Sequence, residues 1–499
     1  MKKIIYSISL ILATGFLFYS CDEEEFLNEF PISELSTGSF FETSAQFEQA
    51  VNASYTNLGA LAGNQSLGVG DGTFWAIGEM RSDNTTFQNN LTDQSGHRYW
   101  HLDQFIMNAQ NEIVSVPWNN CYEGIGKCNI VLQYSEEKEY ENKERYIAEV
   151  KYLRALYYFT LVRHFGDVPL VNAPAGSYNE AFEGNKRAAS ELVYDQIVAD
   201  LNDAKQALPR TYSGKDVGRA TEGAARTLLG KVLMWRNQYG DAATELEAVV
   251  NSQVYDVLDD YASVFDLNNE NNEEIVFSVQ FIEGTYGLGS ANMYRFTPWN
   301  AGTTYLPHPQ ILARTGMNIP TADLINSFEE GDERLSMIDF SWVDEEFGTY
   351  NDNIIPFTRK FWDPNHAVQY VAGNDFPLFR YPHVLLMLAE CYVREGGGDP
   401  APLINQVRER AGLDPLSTVT VDDIIHERRV EFHCEADRWD VLVRTGNAVD
   451  VMTAHGAEQR QNRPEVIRGQ AYNKINILFP IPSSVLENDP TMEQNPEYR

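Results

Sequence analysis

Residues 149–171 read Glu149-Val-Lys-Tyr-Leu-Arg-Ala-Leu-Tyr-Tyr-Phe-Thr-Leu-Val-Arg-His-Phe-Gly-Asp-Val-Pro-Leu-Val171, and their reading decides the fold. Apolar side chains fall at Val150, Leu153, Leu156, Tyr157, Phe159, Leu161, Val162 and Phe165. They cover most of a helix circumference, so this helix is expected to be buried on several sides. Gly166 supplies a left-handed stop, and Pro169 keeps the chain extended from Val168 to Val171. So apolar a helix needs packed neighbours before and after it.

The sequence supplies them. A helix opens at Ser44 as its cap and runs to about Leu61; helical periodicity recurs near 109–133, 142–165, 188–207, 219–237 and 240–251. The stretch 224–250 carries Leu229-Gly230, Leu233, Tyr239, Ala242, Leu246 and Val249, similar to a tetratricopeptide repeat. Successive pairs of this kind predict a mainly α fold: a tetratricopeptide-like helical repeat scaffold with a long irregular insert and a few short strands. Ile275–Phe281 reads as a strand, and the following stretch to about 375 is rich in Gly, Pro, Asn and aromatics. Helices return at 374–397, with Pro382 in the first turn, and again over 404–413 and 424–446. At 499 residues and 43% hydrophobic composition, the chain can bury a large core.

Residues 1–20 read as an export signal, with Lys2 and Lys3 ahead of a short apolar run. The run ends Leu17-Phe18-Tyr19-Ser20-Cys21, which resembles a bacterial lipobox with Phe18 in place of the commoner Leu. Cys21 is thus the expected lipidation site; an ordinary signal peptide with an incidental Cys is the alternative. Acyl chains partition into a bilayer at about 0.8 kcal/mol per methylene, so several on one residue make a stable anchor. Asp22-Glu23-Glu24-Glu25 would keep the tether solvated. Cys121 and Cys128 lie about 10.5 Å apart along one helix, beyond the reach of a disulfide. Net charge is −34, which argues against nucleic acid or an anionic membrane surface as partner.

Five further stretches, with "LRALYYFTLVRHFGDVPLV", carry a family resemblance. They are "GDERL" (331–335), "RKFWDP" (359–364), "NDFPLFRYPHVLLMLAECYVREGG", "IIHERRVEFHCEADRWDVLVRTG" and the closing "NILFPIPSSVLENDPTMEQNPEY". In this order they resemble the SusD/RagB family, nutrient-binding lipoproteins on the outer face of gram-negative outer membranes. The resemblance spans about 26–499. It implies a signal peptide (1–20), a lipidated tether and lead-in segment (21–45), and one SusD-like domain (46–499). Within that domain it implies a helical-repeat core (about 46–275 and 375–445) and an irregular ligand-binding insert (about 276–374). It also implies glycan binding without catalysis, delivery to a TonB-dependent SusC-type transporter, and contact with the membrane through the lipid anchor only. No cofactor is implied, although some members bind calcium and a structural calcium stays open.

Candidate site residues come from two loop regions that mix flat aromatic rings with polar groups, the chemistry sugars require. One holds Trp75, Arg81, Asp83, Asn84 and Trp100. The other holds Tyr294, Trp299, Asn300 and Tyr305. The alternative is that these aromatics staple long loops to the core. Glu427, Glu431 and Glu435, four apart, are the carboxylates a surface glycoside hydrolase could use; a salt-bridged helix is the competing explanation. A protein-binding helical scaffold is the third class. His97 and His101 have metal-ligand spacing but lack the Glu of a zinc protease motif. Asp266–Glu270 resembles the opening of a calcium loop, with Asn271 where that loop needs Gly.

Overall fold

The computed structural model describes residues 40–64, 73–88, 96–174, 186–284, 288–299, 301, 316–345, 351–363, 371–463, 469–489 and 491–499. The signal segment with Cys21 lies outside them, as do Asn300 and Tyr305.

The helices in chain order are α1 (Ser44–Ala62), α2 (His97–Asp103), α3 (Glu112–Glu136), α4 (Lys143–Phe165), α5 (Ser190–Ala207), α6 (Glu222–Trp235) and α7 (Tyr239–Ser252). There follow α8 (Asn292–Phe296), α9 (Ala322–Asn326), α10 (Tyr381–Glu395), α11 (Ala401–Arg410), α12 (Val421–Glu431), α13 (Arg438–Arg444), α14 (Ala448–Asn462) and α15 (Ser483–Asn488). Packing follows a relay: α1 on α3, α3 on α4, α4 on α5, then α6, α7 and α10 in turn. The scaffold is therefore helical and repeat-like, with each helix buried against its neighbours in sequence.

The 149–171 stretch behaves as its periodicity requires. Seventeen of the 23 residues of α4 are buried, and Gly166 closes it at φ 72° with its N–H on the Val162 carbonyl. Small residues set the spacing of the relay. A methyl group at Gly124 would meet the Tyr157 ring at 2.4 Å, and one at Gly230 would meet Leu246 at 2.8 Å. Polar groups on this apolar helix are matched: Arg154 forks onto Asp200 and also reaches Asn129. The cap of α1 is Thr43 rather than Ser44, in a reciprocal box with Gln46.

Short strands pair in twos: β1 (Thr85–Thr86) with β5 (Ile319–Pro320), β2 (Val168–Pro169) with β3 (Arg187–Ala188), β4 (Ile275–Val279) with β8 (Phe376–Arg380), and β6 (Ile338–Asp339) with β7 (Phe357–Thr358). All pairs are antiparallel. The helical reading of 374–397 is thus corrected at its start, because Phe376–Arg380 pairs with β4 before α10 begins at Tyr381. Cys121, Cys128, Cys391 and Cys434 are free and buried.

Candidate functional site

Most of the residues expected at a ligand site lie inside the protein. Trp75, Arg81 and Asn84 are at most 1% exposed, and Asp83, Trp100 and Tyr294 at most 3%. Trp75 stacks on Tyr99 at 5.4 Å and meets the edge of Phe296 at 5.2 Å. Tyr294 packs with Met293 and Ala372. These rings present no face to a ligand: the loop-staple explanation holds for Trp75, Trp100 and Tyr294. The reason is α8, which is fastened beneath α1. Asn292 donates to the Ala62 carbonyl (2.9 Å), Ala291 N–H donates to Gly63, and the insert is thereby drawn onto the scaffold.

Arg81, Asp83 and Asn84 form a clasp between the early chain and its C-terminal part. A π-helical turn, Ala76–Met80, delivers them. Asp83 takes a two-bonded fork from Arg438 at 2.8 Å each, and Arg429 lies 3.0 Å away. Burial opposes this charge, but the two guanidiniums win and hold the Asp83 carboxyl at about 2. Asn84 accepts from Arg429 and donates to Glu79. Arg81 lies over Trp439 (4.4 Å) and Phe479 (4.3 Å) and donates to the Asn476 carbonyl. Each group is committed to packing.

The three glutamates also depart from expectation. The helix α12 stops at Glu431; Cys434 (φ 66°) and Ala436 (φ 70°) turn the chain left-handed, so Glu435 is not on the same helix face. Trp439 and Leu442, on α13 just beyond, are buried. All three carboxylates are buried within a cluster of cations. Glu427 meets Arg334 and Arg408, Glu431 meets Arg334, Arg380 and Arg410, and Glu435 meets Arg380 and Lys360. Burial alone would raise the Glu431 carboxyl; Arg410, Arg380 and Arg334 together drive it well below the ordinary range. Enclosed in this way, none of the three reaches a surface on which a sugar could sit.

Accessible aromatic surface is found elsewhere, on a ledge made by β6, β7 and the turn after them. Trp342 and Trp362 are half-buried, packing on Ile319, Ile355 and Phe357; Trp362 also leans on Met293, Tyr294 and Ala372. The Arg359 guanidinium lies 4.2 Å from the Trp362 ring centre and pairs with Asp339. Burial works against the Asp339 charge, but bonds from Ser341 and Arg359 keep its carboxyl below its ordinary value. Asn374 donates to the Trp362 carbonyl at 3.2 Å and fixes the base of the turn. Trp299 is half-buried too, and follows the helix on which Trp362 rests; its backbone N–H donates to the Gln88 side-chain carbonyl at 2.6 Å. The ledge thus combines two partly open indoles, Trp342 and Trp362, with a guanidinium and a carboxylate. The "RKFWDP" motif contained Arg359 and Trp362, but nothing in their spacing separated open rings from closed ones.

Residues 25–234 match a family described as starch-binding and associating with the outer membrane, and residues 340–498 match the SusD family. The chain belongs to the SusD/RagB family. Among SusD-like relatives, protein P25 of Formosa agariphila is 27% identical over 97% of this chain and 98% of its own length. The starch-binding protein SusD of Bacteroides thetaiotaomicron is 24% identical over 100% of the chain and 99% of its own. A solved laminarin-binding SusD-like protein superposes with a TM-score of 0.76 at 25% identity, covering 92% of this chain and all of the other. Surface glycan-binding protein A of Bacteroides uniformis has the same fold, with a TM-score of 0.75 at 24% identity over 92% of this chain and 100% of its own. In this SusD/RagB chain His97 and His101 sit on α2 with ring centres 6.2 Å apart. Asp266 caps a single 3-10 turn by accepting from the Asn268 N–H.

Proposed function

We propose that this protein binds oligosaccharide or polysaccharide at the cell surface and passes it to a TonB-dependent outer-membrane transporter, without chemistry of its own. The observation that carries the reading is the ledge of Trp342 and Trp362 in a chain whose whole length resembles named glycan binders. Trp299 stays in the proposed site with Asn300 and Tyr305, which follow it in sequence. Trp75, Trp100, Tyr294, Arg81, Asp83 and Asn84 leave it because they are buried. The enclosure of Glu427, Glu431 and Glu435 favours binding over hydrolysis. Calorimetry with a glycan panel led by laminarin, beside chromatography for released sugars, tests both halves. Binding without products is expected; products would favour the hydrolase, and no binding across the panel would favour the protein scaffold.

The membrane part of the reading rests on Ser20-Cys21 and the acidic run after it. Cys21→Ala is expected to abolish fatty-acid labelling and release the protein from membranes; a labelled, sedimenting variant would refute the anchor. Mild detergent extraction should recover a complex with a β-barrel transporter, and a free monomer even after cross-linking would count against delivery.

Among the described residues no group of three or more acidic, His or Cys side chains could hold a metal ion, so a structural calcium would have to lean on the pair Glu270 and Asp375 with backbone and amide oxygens. Both carboxyls are raised, chiefly by burial and then by neighbouring acids: Asp375 by Glu270, and Glu270 by Asp363. The buried Asn374 Oδ1 beside them has no hydrogen-bond partner. Calcium should raise the melting temperature and EDTA reverse it, with neither effect in Asp375→Asn; melting that ignores calcium would remove the ion from the reading.

A further inference from the structure

The tryptophan ledge stands on the hairpin of β6 and β7, and the charges along it are uneven. The sequence from 338 to 363 holds Asp339, Asp344, Glu345, Glu346, Asp352 and Asp363 against Arg359 and Lys360. Burial removes two of these from any ligand. Lys360 is enclosed, with its ammonium on Glu435 and on the Glu431 and His433 carbonyls. Asp363 is fully buried and accepts from the Gly373 N–H. Among the described residues of the hairpin, Arg359 is therefore the one cation still at the surface, its side chain 30% exposed.

That cation is already matched. Arg359 donates through Nε (2.8 Å) and Nη2 to Asp339 Oδ2 while its guanidinium lies over Trp362. The other carboxylate oxygen takes the Ser341 N–H (2.8 Å) and hydroxyl. The pair is thus held from both ends, and only 13% of the Asp339 side chain is exposed. A sugar hydroxyl both donates and accepts, so it can bond either member of such a neutral pair. A sulfate or carboxylate only accepts, and would have to share Arg359 with a fixed carboxylate of like charge.

The far end of the hairpin adds carboxylates. Ile355 N–H donates to the Trp342 carbonyl and Asp344 N–H to that of Asn353, both at 2.9 Å, while Val343 bridges Ile354. This ladder sets Asp344 two residues beyond Trp342, about 7 Å along an extended strand. Glu345 comes next, and Asp352 adjoins Asn353 on the return strand; both acids are exposed. Charges at a surface are felt over about 8 Å at physiological ionic strength. A sugar stacked on Trp342 would carry any acid substituent into the field of these groups. The net charge of −34 adds the same sign at longer range.

We infer that the ledge takes uncharged glycans and rejects those bearing sulfate or carboxylate groups, with Asp344, Glu345 and Asp352 setting that selectivity. They act through charge, from beside the rings, and the Arg359–Asp339 pair presents polarity matched to hydroxyls. This selectivity presupposes the glycan-binding reading of the ledge and narrows its ligand class.

The test pairs each neutral glycan with an acidic derivative of the same backbone: laminarin with laminarin sulfate, dextran with dextran sulfate, hydroxyethylcellulose with carboxymethylcellulose. Calorimetry at low salt reads both members. For whichever backbone binds, the acidic member is expected to bind at least ~10-fold more weakly. The gap should narrow in about 0.5 M sodium chloride, where screening is stronger. Substitution also removes hydroxyls, so a variant separates charge from lost hydrogen bonds. In Asp344→Asn with Glu345→Gln and Asp352→Asn, the ratio of neutral to acidic affinity should fall at least ~5-fold, with circular dichroism unaltered. An acidic glycan bound as tightly as its neutral partner, a gap that ignores salt, or an unchanged ratio in the triple variant would each overturn the selectivity and leave glycan binding in place. Binding of neither member of any pair, or binding that survives Trp342→Ala with Trp362→Ala, would overturn the reading of the ledge itself and the selectivity with it.

Discussion

Replacing Arg380 with methionine removes one cation from the centre of the buried charge cluster and keeps most of the side-chain volume. Arg380 forks onto Glu435 (2.7 and 2.8 Å), bonds Glu431 (2.8 Å) and pairs with Glu274. All these side chains are fully buried. After the substitution Glu431 keeps Arg334 and Arg410, and Glu435 keeps only Lys360. Breaking a buried pair from one side costs about 3–5 kcal/mol, because the remaining charge stays desolvated. With about 2.1 cal/mol/K of unfolding entropy per residue, a domain of this size would melt about 3–5 °C lower. Urea denaturation and calorimetry at pH 7 read the change. A second variant, Arg380→Met with Glu435→Leu, removes the stranded carboxylate as well. Lys360 would still bond the Glu431 and His433 carbonyls, so at least half of the lost stability should return. A single variant within about 1 kcal/mol of the parent, or a double variant as poor as the sum of its parts, would refute this account of the cluster.

Trp362→Ala should weaken glycan binding by roughly 5- to 150-fold, taking base-on-aromatic stacking at about 1–3 kcal/mol as the scale, and leave helix content unchanged. Trp75→Ala should instead destabilise the fold by about 3–5 kcal/mol, and unaltered melting would return Trp75 to the ligand site. Gly78→Ala places a methyl 2.3 Å from the Ala436 carbonyl oxygen, and a clear fall in melting temperature is expected; none would mean that this contact relaxes freely. Burial lifts the Glu79 carboxyl to about 7 against bonds from Asn84 and Cys434. The folded state therefore holds this proton to higher pH than the unfolded chain does. Its contribution is complete below about 4.5 and is lost as pH rises to about 7, on the order of 3 kcal/mol. Glu79→Gln should abolish that decline in urea midpoints measured across the interval.

The scaffold was legible because its signal is local. The apolar residues of α4 repeat with the helical period, and Gly166 and Pro169 mark its end within the same window. Phe376–Arg380 read as the start of a helix because its strand character depends on β4, about a hundred residues earlier. The glutamates read as one helix face because no propensity announces positive φ at Cys434 and Ala436. The ligand site was least legible. Trp75 sits in a Gly-rich stretch without periodicity, and Phe296, more than two hundred residues later, closes over it. Trp362 sits in an equally irregular stretch and remains partly exposed. Only tertiary packing separates them.

The clasp at Asp83 has a consequence for the order in which this protein can be completed. Its partner Arg438 follows 355 residues later in the chain. At a synthesis rate of about 5–20 residues per second, roughly 20–70 s pass before the guanidinium that neutralises Asp83 exists. Throughout that interval the π-helical turn with Arg81, Asp83 and Asn84 has neither its ion pairs nor the Trp439 and Phe479 rings that sandwich Arg81. The early helices can pair among themselves meanwhile, since α1, α3, α4 and α5 are neighbours both in sequence and in space. A chain interrupted before Arg438 would therefore carry a formed helical array with an exposed, charge-bearing flap, a ready target for proteolysis.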